Sequence, residues 1–368
     1  MVAVDNKCLL LGAFTVVMYF MWMDIALWYH LQALVPTQKG MLPKTPDGSF
    51  SLFYPVTVKM LMCDPINHYI YLPLCYVFTQ VTHFTETFSF ITPNVVSISR
   101  VFLILPGLRL LLSESLGCRQ SGVAIILVGE WMDALDGFLA RLRAANQAMT
   151  SEVGALGYYL DGICDGVSAV AILVVCMVQL KRHPPRQSGH PLQLPVICNK
   201  VESKMQESKE SLLGGGPVSG PRVPVPARAI TITMFLFGFQ LLLASVGWNH
   251  AIAGYQQLLE NGDGSHTAKQ LAVLQAASTW ILMWFWRVAC FHMLMHCFLI
   301  AVFFDKLWEF LTNLRFIGYV ALTALIVLNE LHLQAIQSLL LAGVRRYARG
   351  APPGTVMIVT LHCRAASL

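Results

Sequence analysis

The feature that most constrains this fold is a succession of long apolar segments along the whole chain. A bilayer crossing needs about 20 mostly apolar residues, and only 12% of the 368 residues are charged, about half the share of an ordinary soluble domain. A spanning segment must pair its own backbone groups. The sequence therefore predicts an all-α, polytopic membrane protein with spans at Leu9–Leu34, Val95–Leu116, Gly122–Leu142, Ala155–Leu180, Ala229–Ile252, Trp280–Phe304 and Phe316–Ala342.

The first span is expected to remain as an N-terminal transmembrane anchor, residues 1–34. Asp5 interrupts the basic region that a cleaved signal would carry, and the apolar run exceeds the usual length of such signals. Near the other end, the stretch Lys269–Phe304 is too long for one span at about 1.5 Å per residue. We expect its first part to project beyond the hydrocarbon, with Trp280, Trp284 and Trp286 in an interfacial belt.

Three segments differ from the spans in composition. Residues 35–91 read as an extramembrane or interfacial segment, for which an interfacial helix, a helix folded over a site and an ordinary loop all stay open. Residues 181–228 are rich in Pro, Gly, Ser and Lys and predict a flexible connector. Residues 346–368 form a tail. The scattered cysteines indicate neither a disulfide framework nor a zinc site, and a net charge of +5 without a basic, aromatic-rich run argues against nucleic-acid binding.

Four aspartates lie in two consecutive predicted spans at helical spacing. Asp133 and Asp136 are three residues apart in WMDALDGFLAR, and Asp161 and Asp165 are four apart in GYYLDGICDG. Such spacings place both members of a pair on one face of a helix. Because the two helices follow one another, they should be antiparallel neighbours, and all four carboxylates are expected to meet at one face of the membrane.

This cluster predicts a metal-dependent phosphoryl-transfer site. Charged residues inside spans are costly and usually functional, and uncompensated carboxylates would repel one another. Oxygen-only ligands suit Mg²⁺ or Mn²⁺ bound together with substrate phosphates, and two ions can clamp a phosphoryl displacement. Arg141, just over one turn after Asp136, can pair with a phosphate. The alternatives are a charge network that only packs helices, or a transporter or channel with midplane carboxylates.

With these residues, the chain resembles the CDP-alcohol phosphatidyltransferase family. The family signature, D-x2-D-G-x2-A-R followed by G-x3-D-x3-D, is filled by Asp133, Asp136, Gly137, Ala140, Arg141, Gly157, Asp161 and Asp165. The resemblance implies a six-helix core over residues 92–345, two Mn²⁺ (or Mg²⁺) ions held by the four Asp, and a CDP-alcohol substrate. It also implies that Asn94 and Arg141 contact the CDP portion, at a nucleotide site that includes Gly137, Ala140 and Gly157.

Two departures from the family pattern point to one branch of it. The spacer 142–156 is longer than in most members, and Gly162 follows the third Asp where diacylglycerol-using enzymes carry a His. Both features, with the CDPINHY sequence and the extra first span, resemble ceramide phosphoethanolamine synthases. The resemblance implies CDP-ethanolamine and ceramide as substrates, and it leaves Asp165 as the expected proton acceptor. An ethanolamine- or cholinephosphotransferase using diacylglycerol is the alternative.

Other polar residues in the spans have two readings each. Glu130, one turn before Asp133, is either an alternative base near the metals or a buried, protonated carboxyl. His292 and His296, four residues apart, contact a phosphate or headgroup in one reading and form hydrogen bonds between helices in the other. Arg100 is a site candidate because it follows Asn94 by one to two turns.

The distribution of Lys and Arg predicts which side of the membrane carries the aspartates. With seven spans, the connector side holds slightly more basic residues than the side of the motif turn after Arg141. Because basic residues favour the cytoplasm, the connector is expected to be cytoplasmic and the active site lumenal, in the Golgi membrane as the resemblance implies. The resemblance is also compatible with a homodimer.

Overall fold

The computed structural model describes residues 6–35, 51–53, 56–88, 90–146, 154–187, 223–260 and 267–350, and these are almost entirely helical. The helices are α1 Asn6–Gln32, α2 Val58–Leu61, a π-helical turn Asn67–Tyr71, α3 Leu72–Val81, α4 Phe84–Thr87, α5 Pro93–Leu111, α6 Leu116–Asn146, α7 Gly154–Arg182, α8 Ala227–Leu259, α9 Thr267–Leu274, α10 Ala277–Ala289, α11 Phe291–Phe303 and α12 Leu307–Gly350. The strands β1 Arg186–Gln187 and β2 Val223–Pro224 form one antiparallel pair. The all-α class is confirmed.

Within the described residues, five helices are long and apolar enough to cross a membrane, and a sixth crossing arises if α9 and α10 count as one bent span. These segments are Leu11–Gln32, Pro93–Leu111, Tyr159–Arg182, Ala227–Leu259 and Leu307–Leu340, with a 56° bend between α9 and α10. The predicted count of seven is therefore not reproduced. The predicted span Gly122–Leu142 does form a helix, α6, but its charged residues keep it outside this apolar class.

The predicted span Trp280–Phe304 is broken. Cys290 takes an extended conformation with φ −69° and ψ 162°, so α10 ends at Ala289 and α11 begins at Phe291. Two of the three tryptophans expected in the interfacial belt have hydrogen-bond partners within the protein. Trp286 is buried and donates to Asn329 at 3.2 Å, and Trp284 donates to Asp24 of α1 at 2.8 Å. Both indole N–H groups are thus used inside the protein.

Helices α5 and α6 approach closely at two glycines. Thr92 caps the start of α5, where Pro93 occupies the first turn, and the helix then crosses α6 where Gly107 faces Gly122. A Cβ atom on Gly122 would lie 2.8 Å from the carbonyl oxygen of Gly107. No side chain fits at that distance, so the two backbones touch because both residues are glycine. This crossing sets the position of the polar face of α5 against α6.

Three buried apolar clusters hold the helices together. One joins α5, α6, α7, α8, α11 and the start of α12, and another joins α1 and α2 to α8, α9, α10 and α12. A third packs α3 and α4 on α5 and α6. The described part of the 35–91 segment is therefore mostly helical and packs against the core, which favours a helix folded over a site above an ordinary loop. The middle of the connector 181–228 and most of the tail 346–368 lie outside the described residues, although α12 continues to Gly350.

Candidate active site

The carboxylates of α6 and α7 come together as the helical spacing predicts. Single oxygens of Asp133, Asp136 and Asp161 all lie within 4.8 Å of one another, and Asp133 also belongs to a second such group with Asp165 and His292. Asp133 is common to both groups, so the four aspartates form one continuous cluster. Asp136 is buried, whereas the side chain of Asp165 is 23% exposed. The cluster is thus embedded on one side and accessible on the other.

Helix α5 contributes two further polar groups from one face. The Ser97 hydroxyl donates to Oδ2 of Asp136 at 2.5 Å. Arg100, three residues later, is 1% exposed and forms ion pairs with Asp133 through Nη1 and with Asp165 through Nη2. A guanidinium has a planar fork of donors that can bridge two carboxylates. Arg100 therefore connects an aspartate of α6 with one of α7.

The other predicted site residues surround this cluster in different ways. Asn94 lies half-buried in the first turn of α5, one turn before Ser97. Ala140 and Arg141 are exposed, and the Arg141 guanidinium folds back over Gly137, where an added Cβ would lie 3.5 Å from Nη1. Gly157 is helical, in the first turns of α7. Arg141 is thus exposed among the described residues, just over one turn after Asp136, and its contact with a ligand stays a prediction.

His292 and His296 of α11 also reach this region. His292 Nε2 lies 3.9 Å from Oδ2 of Asp133. Nδ1 of His296 lies 2.7 Å from the His292 carbonyl oxygen, and Nε2 of His296 lies 3.3 Å from the Tyr71 hydroxyl. His296 thus joins two elements by hydrogen bonds, as one reading expected. His292 borders the carboxylates, and contact of either histidine with a phosphate or headgroup stays a prediction.

The donor set fits divalent cations. One guanidinium against four carboxylates leaves the cluster strongly negative, and Oδ1 of Asp161 is a buried oxygen without a hydrogen-bond partner. Buried polar atoms are normally paired, so this oxygen is available as a ligand. Carboxylate oxygens suit Mg²⁺ and Mn²⁺, and imidazole is a ligand that Mn²⁺ accepts more readily than Mg²⁺ does. Asp133, Asp136, Asp161, Asp165 and His292 are the residues that could hold such ions.

Sequence reasoning missed Ser97 and placed Arg100 only as a candidate. Ser97 follows Asn94 by three residues, so the same helical spacing that paired the aspartates would have put it on the Asn94 face. Glu130, read as a base or a protonated carboxyl, is half-buried on α6. Neither reading of Glu130 is tested by this geometry.

Comparison with known proteins places this arrangement in a family. The family model described as ceramide phosphoethanolamine synthase matches residues 50–342. A protein of Drosophila melanogaster named ceramide phosphoethanolamine synthase is 36% identical over 285 residues, which cover 77% of this chain and 69% of that protein. No solved structure matches the chain. The matched range contains the four aspartates, Ser97, Arg100 and His292, whereas α1 precedes it.

Proposed function

Because the chain belongs to the ceramide phosphoethanolamine synthase family, we propose that it transfers phosphoethanolamine from CDP-ethanolamine to a hydroxyl of ceramide. The products are ceramide phosphoethanolamine and CMP. The observation that carries the proposal is that single carboxylate oxygens of Asp133, Asp136 and Asp161 lie within 4.8 Å of one another. These residues belong to a CDP-alcohol motif whose fixed positions are all present in the sequence. Such a cluster suits a diphosphate bound through divalent cations.

The reaction is a displacement at the β-phosphorus of the donor. A bond forms between the ceramide hydroxyl oxygen and this phosphorus, the bond to the bridging oxygen breaks, and CMP leaves with that oxygen. Mn²⁺ or Mg²⁺, held by the four aspartates, would neutralise charge on the diphosphate and on the leaving CMP. Catalysis of this kind consists mostly of positioning and electrostatic stabilisation, which is what a set of rigid helices can supply.

Different residues bind the donor and orient the aspartates. Arg141 sits exposed beside Gly137 and Asp136, where its guanidinium can hold a donor phosphate bidentately. Asn94, Ala140 and Gly157 border the nucleotide part of the site by family resemblance. Ser97 and Arg100 hold Asp136, Asp133 and Asp165 in their orientations through the contacts described above.

Asp165 is the proposed acceptor of the ceramide hydroxyl proton. Gly162 leaves the position after Asp161 without a side chain, so the base must come from elsewhere. Asp165 is more exposed than Asp133, at 23% against 14%, and a base must lie within hydrogen-bond reach of the proton that it removes. An accessible carboxylate on the α7 edge of the cluster meets this requirement.

The membrane setting is also proposed. The apolar helices support a multi-pass protein, and ceramide is a lipid that would reach the site from the bilayer. We place the protein in the Golgi membrane by family resemblance. The aspartates would lie on the lumenal side if α6 also crosses the bilayer and the helices α9 to α11 cross it once, because the seven crossings then leave the more basic connector in the cytoplasm.

A substrate matrix tests the proposal. Purified protein with Mn²⁺ is offered CDP-ethanolamine or CDP-choline, each against ceramide and diacylglycerol, and the lipid products are identified by mass spectrometry. Ceramide phosphoethanolamine is the expected main product. Preferential formation of phosphatidylethanolamine or phosphatidylcholine would favour a diacylglycerol-using phosphotransferase instead, and no CMP release with any pair would remove the enzyme assignment.

A further inference from the structure

A second group of buried polar residues lies apart from the aspartate cluster, with Arg287 of α10 at its centre. Arg287 is 0% exposed, and its Nη2 lies 3.0 Å from Oδ1 of Asp24 on α1. Its Nη1 lies 3.4 Å from the carbonyl oxygen of Met60 and 3.3 Å from that of Leu61, at the end of α2. One guanidinium thus joins the amino-terminal helix, the segment that follows it and the carboxyl-terminal half of the fold.

Asp24 is completely paired, although it lies inside the first spanning helix. Besides Arg287, its carboxylate accepts hydrogen bonds from the Tyr69 hydroxyl at 2.7 Å and from Trp284 Nε1 at 2.8 Å. An intramembrane carboxylate is costly unless it faces the protein interior and is paired. A helix that served only as an anchor would need no such group. The pairing therefore indicates that α1 docks on the core in one fixed register.

His68 extends this group toward the loop before α2. An arginine can only donate, so the 3.3 Å contact with Arg287 Nη2 makes Nδ1 of His68 an acceptor. The ring proton then lies on Nε2, which donates to the Leu52 carbonyl oxygen at 2.8 Å. Burial, followed by the charge of Arg287, lowers the pKa of His68 to about 4. His68 is consequently a neutral link that holds residues on both sides of α2.

The π-helical turn connects the group around Arg287 with α11, which borders the active site. It holds His68 and Tyr69 next to Arg287, while Tyr71, at its end, reaches His296 of α11 at 3.3 Å. The carbonyl oxygen of His292 can only accept, so His296 donates to it through Nδ1. Both bonds fall in the first turns of α11, directly after the break at Cys290.

This end of α11 needs an external support. The break at Cys290 separates it from α10, to which it remains linked through the Cys290 N–H bond to the Trp286 carbonyl oxygen at 3.0 Å. It also carries His292, whose Nε2 lies 3.9 Å from Oδ2 of Asp133. Groups that contact metal-binding carboxylates fix their orientation and affect metal affinity and activity. A small shift of α11 would therefore change the contact between His292 and Asp133, and with it the orientation of the Asp133 carboxylate.

We propose that Arg287 and Tyr71 are positioning residues for the transfer reaction. Arg287, paired with Asp24, docks the segment Val58–Val81, and Tyr71 with His296 then holds His292 against Asp133. The amino-terminal helix is accordingly part of the catalytic unit and not only a membrane anchor. The expected loss of turnover rests on the proposed function. The expected effect on the position of α11 does not.

Two variants and a control test the proposal. Tyr71→Phe removes one hydroxyl and keeps the ring, so folding should survive, and Asp24→Asn removes the charge that faces Arg287. The matched control is Arg119→Gln, because Arg119 is also a buried arginine in an ion pair, with Asp305 at 2.7 Å. This pair joins the start of α6 to the residues just after α11, at the opposite end of α11 from residues 291–296. Each full-length protein is reconstituted in nanodiscs. Turnover with CDP-ethanolamine and ceramide, and amide hydrogen exchange of residues 291–296, are then measured.

We expect kcat to fall about tenfold in Tyr71→Phe and in Asp24→Asn, with KM nearly unchanged, since misplacement of a catalytic group lowers the rate of the chemical step. Exchange of residues 291–296 should rise in both variants and stay at the wild-type level in Arg119→Gln. Wild-type kcat or unchanged exchange in Tyr71→Phe would overturn the proposal, as would equal losses in the control. A wild-type protein inactive on ceramide would contradict the proposed function, while the exchange comparison would still decide whether this network holds α11.

Discussion

Ser97 on α5 donates a 2.5 Å hydrogen bond from its hydroxyl to Oδ2 of the buried Asp136 on α6. This bond ties the helix of the predicted nucleotide contact, Asn94, to the helix that begins the aspartate motif. A carboxylate whose orientation is fixed in this way is prepared to bind a cation, and loss of such a partner typically lowers metal affinity or activity.

Replacement of Ser97 by Ala should therefore weaken cation use more than it weakens folding. We expect the Mn²⁺ concentration for half-maximal activity to rise about tenfold in Ser97→Ala. The matched control is Ser99→Ala, because the Ser99 hydroxyl donates to the Val96 carbonyl oxygen of its own helix, at 2.8 Å, and forms no bond to the aspartates among the described residues. Metal titrations of the two purified variants check this, and equal half-saturation in both would show that the Ser97 hydroxyl does not support the site.

Arg100 should tolerate no substitution, including lysine. Its two nitrogens pair with Asp133 and Asp165 at once, and a lysine ammonium is a single point charge that cannot reproduce the planar fork. We expect activity in Arg100→Lys to fall by at least about tenfold at normal protein abundance, with Arg119→Gln as the control for loss of a buried arginine. Turnover per mole of folded Arg100→Lys is the measurement, and a wild-type value would rule out a bridging role.

Removal of divalent cations should abolish turnover. Excess chelator is expected to stop the reaction, and Mn²⁺ or Mg²⁺ added back should restore it, because the Arg100 guanidinium pairs with two of the four carboxylates and leaves the cluster in need of further positive charge. Single changes of Asp133, Asp136, Asp161 or Asp165 to Ala should leave protein that is expressed but inactive, whereas Asp305→Ala, at the far end of α11, should stay active. Undiminished wild-type turnover in chelator would exclude a metal-dependent mechanism.

Protease cleavage in the connector 181–228 can show which side of the membrane carries the active site. A protease site inserted near Ser188 should be cleaved in sealed microsomes without detergent if the connector is cytoplasmic and the aspartates are lumenal. A second insertion in the 147–153 spacer, close to the motif, should be protected until detergent is added. The reverse pattern would place the active site on the cytoplasmic face.

The aspartate cluster could be predicted from sequence because every step was local. Spacings of three and four fixed the helix faces. The expectation that α6 and α7 are direct neighbours holds only at the aspartates, because both helices pack mainly on α5 and not on one another. The ion pairs of Arg100 required the crossing of α5 on α6 at Gly107 and Gly122, which helical periodicity does not encode.

The errors have a related physical origin. Spans were counted from apolar windows, so the break at Cys290 within an apolar run was invisible. The tryptophan belt was inferred from composition, whereas the partners of Trp284 and Trp286, namely Asp24 and Asn329, come from distant parts of the chain. The Asp24–Arg287 pair could not be foreseen for the same reason, since either residue alone reads as an isolated charge in an apolar segment.

The proposed transfer is tested most directly by tracing the β-phosphorus of CDP-ethanolamine into the products. Purified protein receives Mn²⁺, ceramide and CDP-ethanolamine labelled at the β-phosphorus, and the lipid and nucleotide products are separated. We expect the label to enter ceramide phosphoethanolamine, unlabelled CMP to form in equal amount, and Asp161→Ala to yield neither product. Label that stays with the nucleotide, or that enters diacylglycerol in preference to ceramide, would contradict the central claim.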